Sequence, residues 1–231
     1  MSLRARVLDA LATVYDPELD EPITSLEFVT SCDVTAAGDV AVRLRLPTSQ
    51  CAPNFAFLMA ADARAAVRRL PEVRDVTIVL EEHCTDGEIN AAVNRGEPFA
   101  QAFPGEAEGE LDELRRLFAR KALVARQARL CEALLAAGAT PEEVTARRVA
   151  DLPDDPDARR CLELREQLGI SREDAAAAFV LPDGTAIAAC DLRHWLRIAR
   201  LIRTSLESNG GMCRSLLRVR YDLPDREEIA A

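Results

Sequence analysis

With 231 residues, 48% of them hydrophobic, the chain is long enough for one large domain or two small ones and can form a sizeable core. Its net charge of -10 disfavours binding to nucleic acid or acidic membranes, because both require a concentrated surplus of Lys and Arg. No apolar run approaches the roughly 18 residues of a membrane-spanning helix, and the N-terminus lacks a signal-peptide core, so we expect a cytoplasmic protein.

The first third of the chain predicts a small α+β domain. Apolar residues at helical spacing predict a first helix that stops before Asp16-Pro17, because proline cannot continue a helix. Alternating apolar residues around Gly38 predict a β-hairpin, and Pro53 begins a second helical pattern. The predicted elements are a helix over 3–14, strands over 26–34 and 40–46, a helix over 53–70 and a strand over 76–80. This α-β-β-α-β order predicts a mixed three-stranded sheet.

The rest of the chain predicts a mainly helical domain. A short capped helix over 86–96 is followed by a stretch rich in Pro, Gly and Glu, which is typical of a linker. Beyond it, apolar residues at helical spacing predict several helices, the last of which ends at Gly210-Gly211. We therefore expect an N-terminal domain over 1–97, a linker over 98–110 and a mainly helical accessory domain over 111–231.

The seven cysteines do not form a local metal or disulfide motif. Their number is odd, they are scattered, and no two are spaced as C-x-x-C, which argues against a secreted disulfide framework and a zinc knuckle. Three of them, Cys32, Cys131 and Cys161, are in phase with apolar neighbours and are predicted to be core residues. Cys190 and Cys213 have no periodic context that decides their role. Any metal site must combine cysteines that are distant in sequence or come from different chains.

Among the cysteines, Cys51 has the position that best suits a reactive thiolate. It lies in the polar loop 48–52, just before the helix that Pro53 begins. Unpaired backbone N–H groups and the positive end of a helix dipole favour a thiolate, which is the form that binds iron, zinc or sulfide species. Thr48 and Ser49 add hydroxyl donors to the same loop. The local residues alone leave open the alternative of a loop cysteine without a function.

Several motifs, taken in order, resemble a known family. They are the turn Asp16-Pro17-Glu18, the hairpin, the segment Thr48-Ser49-Gln50-Cys51-Ala52-Pro53 and the strand 73–80. They make residues 3–85 similar to the SufT/PaaD-type metal-sulfur cluster assembly family, although Ala52 separates Cys51 from Pro53 here. The resemblance points to the site residues Asp16, Glu18, Thr48, Ser49 and Cys51.

The resemblance implies a non-catalytic factor for iron-sulfur cluster assembly or delivery, with Cys51 as a reactive cysteine that transiently binds an iron-sulfur cluster or iron. The implied partners are client metalloproteins or other assembly factors, with no nucleic acid and no membrane. Two alternatives stay open: a maturation accessory protein for one di-iron multicomponent oxygenase, and a metal-free protein adaptor. One cysteine supplies only one of a cluster's four thiolates, so a homodimer is one way to supply more.

Four further residues have both a functional and a structural interpretation. Asp16 and Glu18 suit an acid/base pair or hard metal ligands, although aspartate before proline is more often a turn former. His83 and Cys84 follow the third strand and would form, with Cys51, a soft metal site of one nitrogen and two sulfurs. If the alternation of that strand continues, Cys84 instead points into the core.

Overall fold

The structure is a computed structural model that describes residues 1–105 and 110–223. The contacts divide the chain into two compact units: unit 1 is Met1–Asp112 together with the residues from Ser208 onward, and unit 2 is Glu113–Glu207. The predicted fold class, an α+β region followed by a mainly helical region, is confirmed. Within the described residues, no helix is both long and apolar enough to cross a membrane.

Unit 1 contains the elements predicted from the sequence, with three short additions. In chain order its elements are α1 (Leu3–Leu11), β1 (Tyr15–Asp16), β2 (Glu21–Pro22), β3 (Val29–Val34), β4 (Asp39–Arg45), α2 (Pro53–Arg68), β5 (Asp75–Glu81), α3 (Asp86–Arg95) and α4 (Phe99–Ala102). The additions are β1, β2 and α4. Ser2 caps α1 by accepting a hydrogen bond from the backbone N–H of Ala5 at 3.2 Å. The same helix buries Val7 and Leu11, so its apolar face is held by the core.

The three main strands form one mixed sheet in the order β3-β4-β5. Strands β3 and β4 are antiparallel, with Cys32 opposite Val42, and β4 and β5 are parallel, with Val42 opposite Ile78. Gly38 lies in the hairpin turn with a φ of +88°, and a Cβ atom there would collide with the carbonyl oxygen of Glu72. Only glycine fits this turn without strain. The predicted mixed sheet is confirmed.

Two asparagines of α3 complete the outer edge of β5. Asn94 Nδ2 donates to the carbonyl of Ile78 at 2.8 Å, and its Oδ1 accepts from the N–H of Ile78 at 2.9 Å. Asn90 makes the same pair of bonds to Leu80, at 3.0 and 2.7 Å. Four helical residues rise about 6 Å and two strand residues about 6.6 Å, so the two amides match alternate strand residues. The backbone groups of Ile78 and Leu80 at this sheet edge are therefore hydrogen-bonded by side chains in place of a fourth strand.

The segment after α3 packs against the core as far as Phe103. Phe99 and Phe103 are both buried, with ring centroids 4.7 Å apart, and Phe99 meets Phe57 of α2 edge to face at 5.4 Å. The composition of this stretch predicted a linker over 98–110, of which residues 106–109 lie outside the described residues. The domain limits drawn from the sequence stay a prediction.

Unit 2 is built from helices around a second apolar core. Its elements are α5 (Glu110–Ala136, from Glu113), α6 (Pro141–Ala146), a 3-10 turn (Val149–Asp151), α7 (Pro156–Leu168) and α8 (Ala189–Tyr221) as far as Glu207. Thr140 and Glu143 form a capping box at the start of α6. The buried amide of Gln127 donates to Val180 O at 2.9 Å and accepts from Val180 N at 2.8 Å. These two bonds fix α5 to the small hairpin in which Val180 is paired with Ala186.

Helix α8 does not end at Gly210-Gly211, so the predicted end is wrong. The helix continues to Tyr221, and neither glycine has the positive φ that ends a helix. Gly210 instead lies against the side chain of Glu21, where a Cβ atom would come within 2.7 Å of Oε1. The packing of the later helical residues, among them the fully buried Leu217, outweighs the roughly 1 kcal/mol that each helical glycine costs.

Candidate functional site

Cys51 lies in the loop between β4 and α2, half-buried against the core of unit 1. Its Sγ is 3.4 Å from Oγ1 of Thr48. The same hydroxyl oxygen accepts a hydrogen bond from the backbone N–H of Gln50 at 3.2 Å, so its own hydrogen stays available to the sulfur. Thr48 therefore orders the loop and places a polar group on the Cys51 sulfur.

His83 holds this loop from the far side. Its Nε2 is 2.7 Å from the carbonyl oxygen of Cys51, and its Nδ1 lies 3.2 Å from the backbone N–H and 3.1 Å from the hydroxyl of Thr85. With the ring proton on Nε2, Nε2 donates to Cys51 and Nδ1 accepts from Thr85, which satisfies both nitrogens. His83 as a whole is buried, with 5% of its surface exposed. A metal ion would have to displace one of these bonds, so the geometry makes His83 a positioning residue for Cys51.

Cys84 is exposed, and the expectation that it points into the core is wrong. The alternation of β5 breaks at Glu82, whose φ of 53° is left-handed and turns His83 inward and Cys84 outward. The backbone N–H of Cys84 donates to the carbonyl of Ser49 at 2.9 Å, which ties the end of β5 to the Cys51 loop. The backbone of Cys84 is thus bonded to the Cys51 loop, while its thiol lies on the surface.

The start of α2 offers few free donors to an anion. Ala52 is the N-cap and makes no side-chain bond, and Pro53 has no N–H. The N–H of Phe55 is bonded to Oδ1 of Asn54 at 2.9 Å and to the carbonyl of Ala52 at 3.0 Å. The helix end therefore contributes less to an anion site at Cys51 than the sequence indicated.

The turn Asp16-Pro17-Glu18 connects β1 to β2. Oδ1 of Asp16 accepts from the N–H groups of Glu18 at 2.8 Å and Leu19 at 3.0 Å, which is the turn-forming role that the sequence favoured. Burial raises the pKa of the Asp16 carboxyl to about 6, although the two backbone bonds act in the opposite direction. The neighbouring charges of Glu18, which is half-buried, and Glu21 add to the rise.

Cys213 of α8 lies in the same unit and was not identified from the sequence. It is half-buried and packs against the same core as Cys51. Burial raises the pKa of its thiol to about 11, and the charges of Asp16, Cys51 and Glu18 act in the same direction, so all three groups lie within electrostatic reach. No local pattern marks Cys213, because only the packing of the end of α8 in unit 1 brings it to this site.

The site therefore consists of the half-buried Cys51 thiol and its loop, while the half-buried Cys213 thiol lies within electrostatic reach of Cys51 and of the buried Asp16 carboxylate. Hydrogen bonds link Cys51, Thr48 and His83, and the backbone of Ser49 links Cys84 to them. In the described part of the chain, no group of three or more His, Cys, Asp or Glu residues is arranged to hold a metal ion.

The structure thus shows a half-buried thiol on a fixed loop of a small α+β unit. Comparison with known proteins gives the family. A family model described as "Iron-sulfur cluster assembly protein" matches residues 4–79, which contain Asp16, Thr48 and Cys51. His83, Cys84 and Cys213 lie beyond that match.

A second comparison finds a similar protein in an archaeon. The uncharacterized protein MJ1129 of Methanocaldococcus jannaschii is 30% identical to this chain over 97 residues, which are 42% of this chain and 100% of that protein. No solved structure matches the chain. The chain belongs to the iron-sulfur cluster assembly protein family, and the resemblance stated from its sequence motifs is confirmed. A general role in iron-sulfur cluster assembly follows from that membership.

Proposed function

We propose that this protein holds an iron-sulfur cluster or iron transiently at Cys51 and delivers it to a client metalloprotein in the cytoplasm, as a carrier and not as an enzyme. The observation that carries the proposal is the Cys51 loop, which lies inside the family match and keeps one thiol half-exposed. Thr48 contacts the sulfur at 3.4 Å and His83 holds the carbonyl of the same residue at 2.7 Å.

An incomplete ligand set suits a carrier. A closed tetrahedral site binds its metal as part of the fold, and such a metal is released slowly. Here the described residues offer no three-ligand group, so a cargo would keep positions for ligands of the donor or the client protein. Ligand exchange at those positions would then pass the cargo on without unfolding the carrier.

An exposed apolar stripe on the end of α8 supports a protein partner. Met212, Leu216 and Val219 are 62%, 44% and 84% exposed and follow one another at helical spacing. The same part of α8 carries Cys213, so a partner bound to this stripe would lie near the thiol site. Grouped apolar side chains on a surface are typical of protein contact sites.

Anaerobic reconstitution tests the cargo. The full chain is incubated with iron, sulfide and a thiol reductant, and the absorption of the desalted protein is compared with that of Cys51→Ser and Cys84→Ser. We expect the Cys51→Ser protein to lose most of the cluster absorption, because one thiolate of the site is removed. Cys84→Ser is the matched control, since it removes an exposed thiol whose backbone is bonded to the same loop. Equal absorption in all three proteins, or none, would contradict the proposal and favour a metal-free adaptor.

Transfer to an apo-client tests delivery. The loaded protein is mixed with an apo iron-sulfur enzyme, and recovery of activity is compared between wild type and Leu216→Glu. We expect the variant to load cargo normally but to transfer it several-fold more slowly, because a charge on the apolar stripe disfavours contact. Equal transfer rates would exclude the stripe as the client surface. A deletion strain that loses only one di-iron oxygenase, with other iron-sulfur enzymes intact, would instead identify a single dedicated client.

A further inference from the structure

We propose that Arg220 and Tyr221, at the end of α8, are positioning residues for the Cys51 thiol. They act through Glu82 and His83, the two residues that follow β5. The inference rests on the proposed function for the role of Cys51, and it adds to the site two residues that lie beyond the family match. All five residues belong to unit 1.

Glu82 has a backbone conformation that glutamate rarely adopts. Its φ of 53° lies in the left-handed region, where the Cβ atom crowds the following carbonyl oxygen. A residue in this region persists only where the surrounding structure fixes its conformation. The same conformation turns His83 inward, so that Nε2 of its ring lies 2.7 Å from the carbonyl oxygen of Cys51. The position of Cys51 therefore depends on the contacts that hold Glu82.

The last turn of α8 supplies those contacts. The guanidinium of Arg220 donates to the carbonyl of Glu82 at 3.2 Å and to Oε2 of the same residue at 3.1 Å. The hydroxyl of Tyr221 donates to the same carboxylate oxygen at 3.1 Å. Bonds between a guanidinium and a carboxylate are charge-assisted and stronger than neutral ones. Because both the carbonyl and the side chain of Glu82 are bonded, a rotation of its backbone would break at least one of these bonds.

The end of α8 is itself fixed on unit 1. The guanidinium of Arg45, the last residue of β4, lies over the Tyr221 ring at 4.2 Å from its centroid. One turn earlier on the helix, Leu217 is fully buried in the core. Nη1 of Arg220 also lies 3.5 Å from the carbonyl oxygen of Leu46, the residue that follows β4. The helix end therefore contacts the chain both where the Cys51 loop leaves β4 and where β5 ends.

Alkylation of the metal-free full chain by iodoacetamide tests the inference, with peptide mass spectrometry to follow Cys51 alone. We expect Arg220→Ala to raise the rate at Cys51 by about three- to tenfold, because the loop opens more often once the bonds to Glu82 are lost. Tyr221→Phe keeps the ring and loses one hydrogen bond, so we expect a rise of about twofold. A wild-type rate in Arg220→Ala would overturn the inference.

Arg214→Ala is the matched control. It removes another arginine from the same end of α8, whose ion pair is with Glu21 of β2 and not with the residues that follow β5. We expect this variant to keep the wild-type alkylation rate at Cys51. The same rise in Arg214→Ala as in Arg220→Ala would show that any loosening of the helix frees the thiol, and it would overturn a specific role for Arg220.

The substitution Glu82→Gly separates positioning from simple docking of the helix. Glycine adopts a positive φ without crowding from a Cβ atom, so His83 can stay inward without help from α8. Arg220→Ala should therefore change the rate at Cys51 by less than about twofold when it is combined with Glu82→Gly. Combined with Glu82→Ala, which loses the same carboxylate but keeps the Cβ atom, it should raise the rate at least as much as it does alone. Equal rates in the two double variants would overturn the inference.

Hydrogen exchange distinguishes a local opening from a general loss of stability. The N–H of Cys84 donates to the carbonyl of Ser49 at 2.9 Å, so its exchange reports separation of the Cys51 loop from the end of β5. The N–H of Ile78 is bonded to a side chain of α3 and reports the edge of β5. We expect Arg220→Ala to speed exchange at Cys84 and to leave Ile78 unchanged. Equal acceleration at both amides would contradict a positioning role.

The two proposals fail separately, because alkylation and hydrogen exchange need no metal. If wild type takes up no cluster while Arg220→Ala and the two double variants follow the expected pattern, the carrier function is refuted and the positioning role stands. If Cys51→Ser loses cluster uptake but Arg220→Ala matches wild type in both metal-free measurements, the positioning role is refuted and the carrier function stands.

Discussion

Asp16→Asn is expected to remove a pH-dependent destabilisation of unit 1. The pKa of the Asp16 carboxyl is about 6 in the folded protein, against an ordinary value of 3.8. One pKa unit corresponds to 1.36 kcal/mol, so a rise of roughly two units corresponds to about 3 kcal/mol. Because the folded state keeps the proton to higher pH, the unfolded state binds fewer protons between the two values. The free energy of unfolding therefore falls by about 3 kcal/mol as pH rises from about 4 to above 6, and then levels off.

Asparagine keeps the turn and cannot ionise. Its Oδ1 can accept the same two hydrogen bonds, from the N–H groups of Glu18 and Leu19. We therefore expect the variant to be at least as stable as wild type at pH 7. The difference between the two stability curves should change by about 3 kcal/mol between pH 4 and pH 7.

Urea unfolding at a series of pH values measures this difference. Asp9→Asn is the matched control, because it removes an exposed carboxylate from α1, and its curve should stay parallel to that of wild type. Parallel curves for Asp16→Asn and wild type would refute the reasoning that burial of this carboxylate destabilises the fold. A variant that is less stable at every pH would show that the second side-chain oxygen makes a contact that an amide cannot replace.

Three other substitutions test the fold and the loop. Asn94→Leu should lower the free energy of unfolding by about 2–4 kcal/mol and speed hydrogen exchange at the amide of Ile78, since both backbone groups of that residue lose their partner. Unchanged exchange at this amide would contradict the edge bonds. Gly38→Ala should lower the free energy of unfolding by about 1–3 kcal/mol, measured by urea unfolding, because of its positive φ and the backbone collision; a neutral effect would contradict the turn. His83→Phe should raise the alkylation rate of Cys51 by iodoacetamide several-fold, because the bond to its carbonyl is lost; an unchanged rate would show that the loop is held by other contacts.

Local periodicity was sufficient to predict most of unit 1. The alternation of β3 and β4 and the helical face of α2 each follow from residues that are neighbours in sequence. The end of α8 could not be predicted in this way. Glycine at 210 and 211 resembles a helix C-terminus, and the contact that explains Gly210, with Glu21, comes from the far end of the chain. A tertiary contact thus overrides the local preference.

Among the site residues, too, those marked by a local sequence pattern were predicted and those placed by tertiary contacts were not. Cys51 was identified because proline and a polar loop mark a helix start locally. His83 was named as one candidate ligand, and in the structure the left-handed residue Glu82 turns its ring inward onto the Cys51 carbonyl. That φ follows from no simple rule, since glutamate rarely adopts it. Cys213 depends wholly on the packing of α8, which periodicity does not reveal.

The position of Asp16 connects the stability of unit 1 with its proposed chemistry. A buried carboxylate that destabilises the fold at neutral pH persists in proteins where its charge serves a site, and Asp16 acts electrostatically on Cys213. If that charge favours a cationic cargo at the Cys51 site, Asp16→Asn should gain stability at pH 7 and take up several-fold less iron in the same buffer. Gained stability with unchanged iron uptake would assign Asp16 to the turn alone. Loss of both stability and iron uptake would indicate that the Asp16 turn maintains the structure of the site. The two measurements together therefore distinguish the effect of the Asp16 charge from that of the turn geometry.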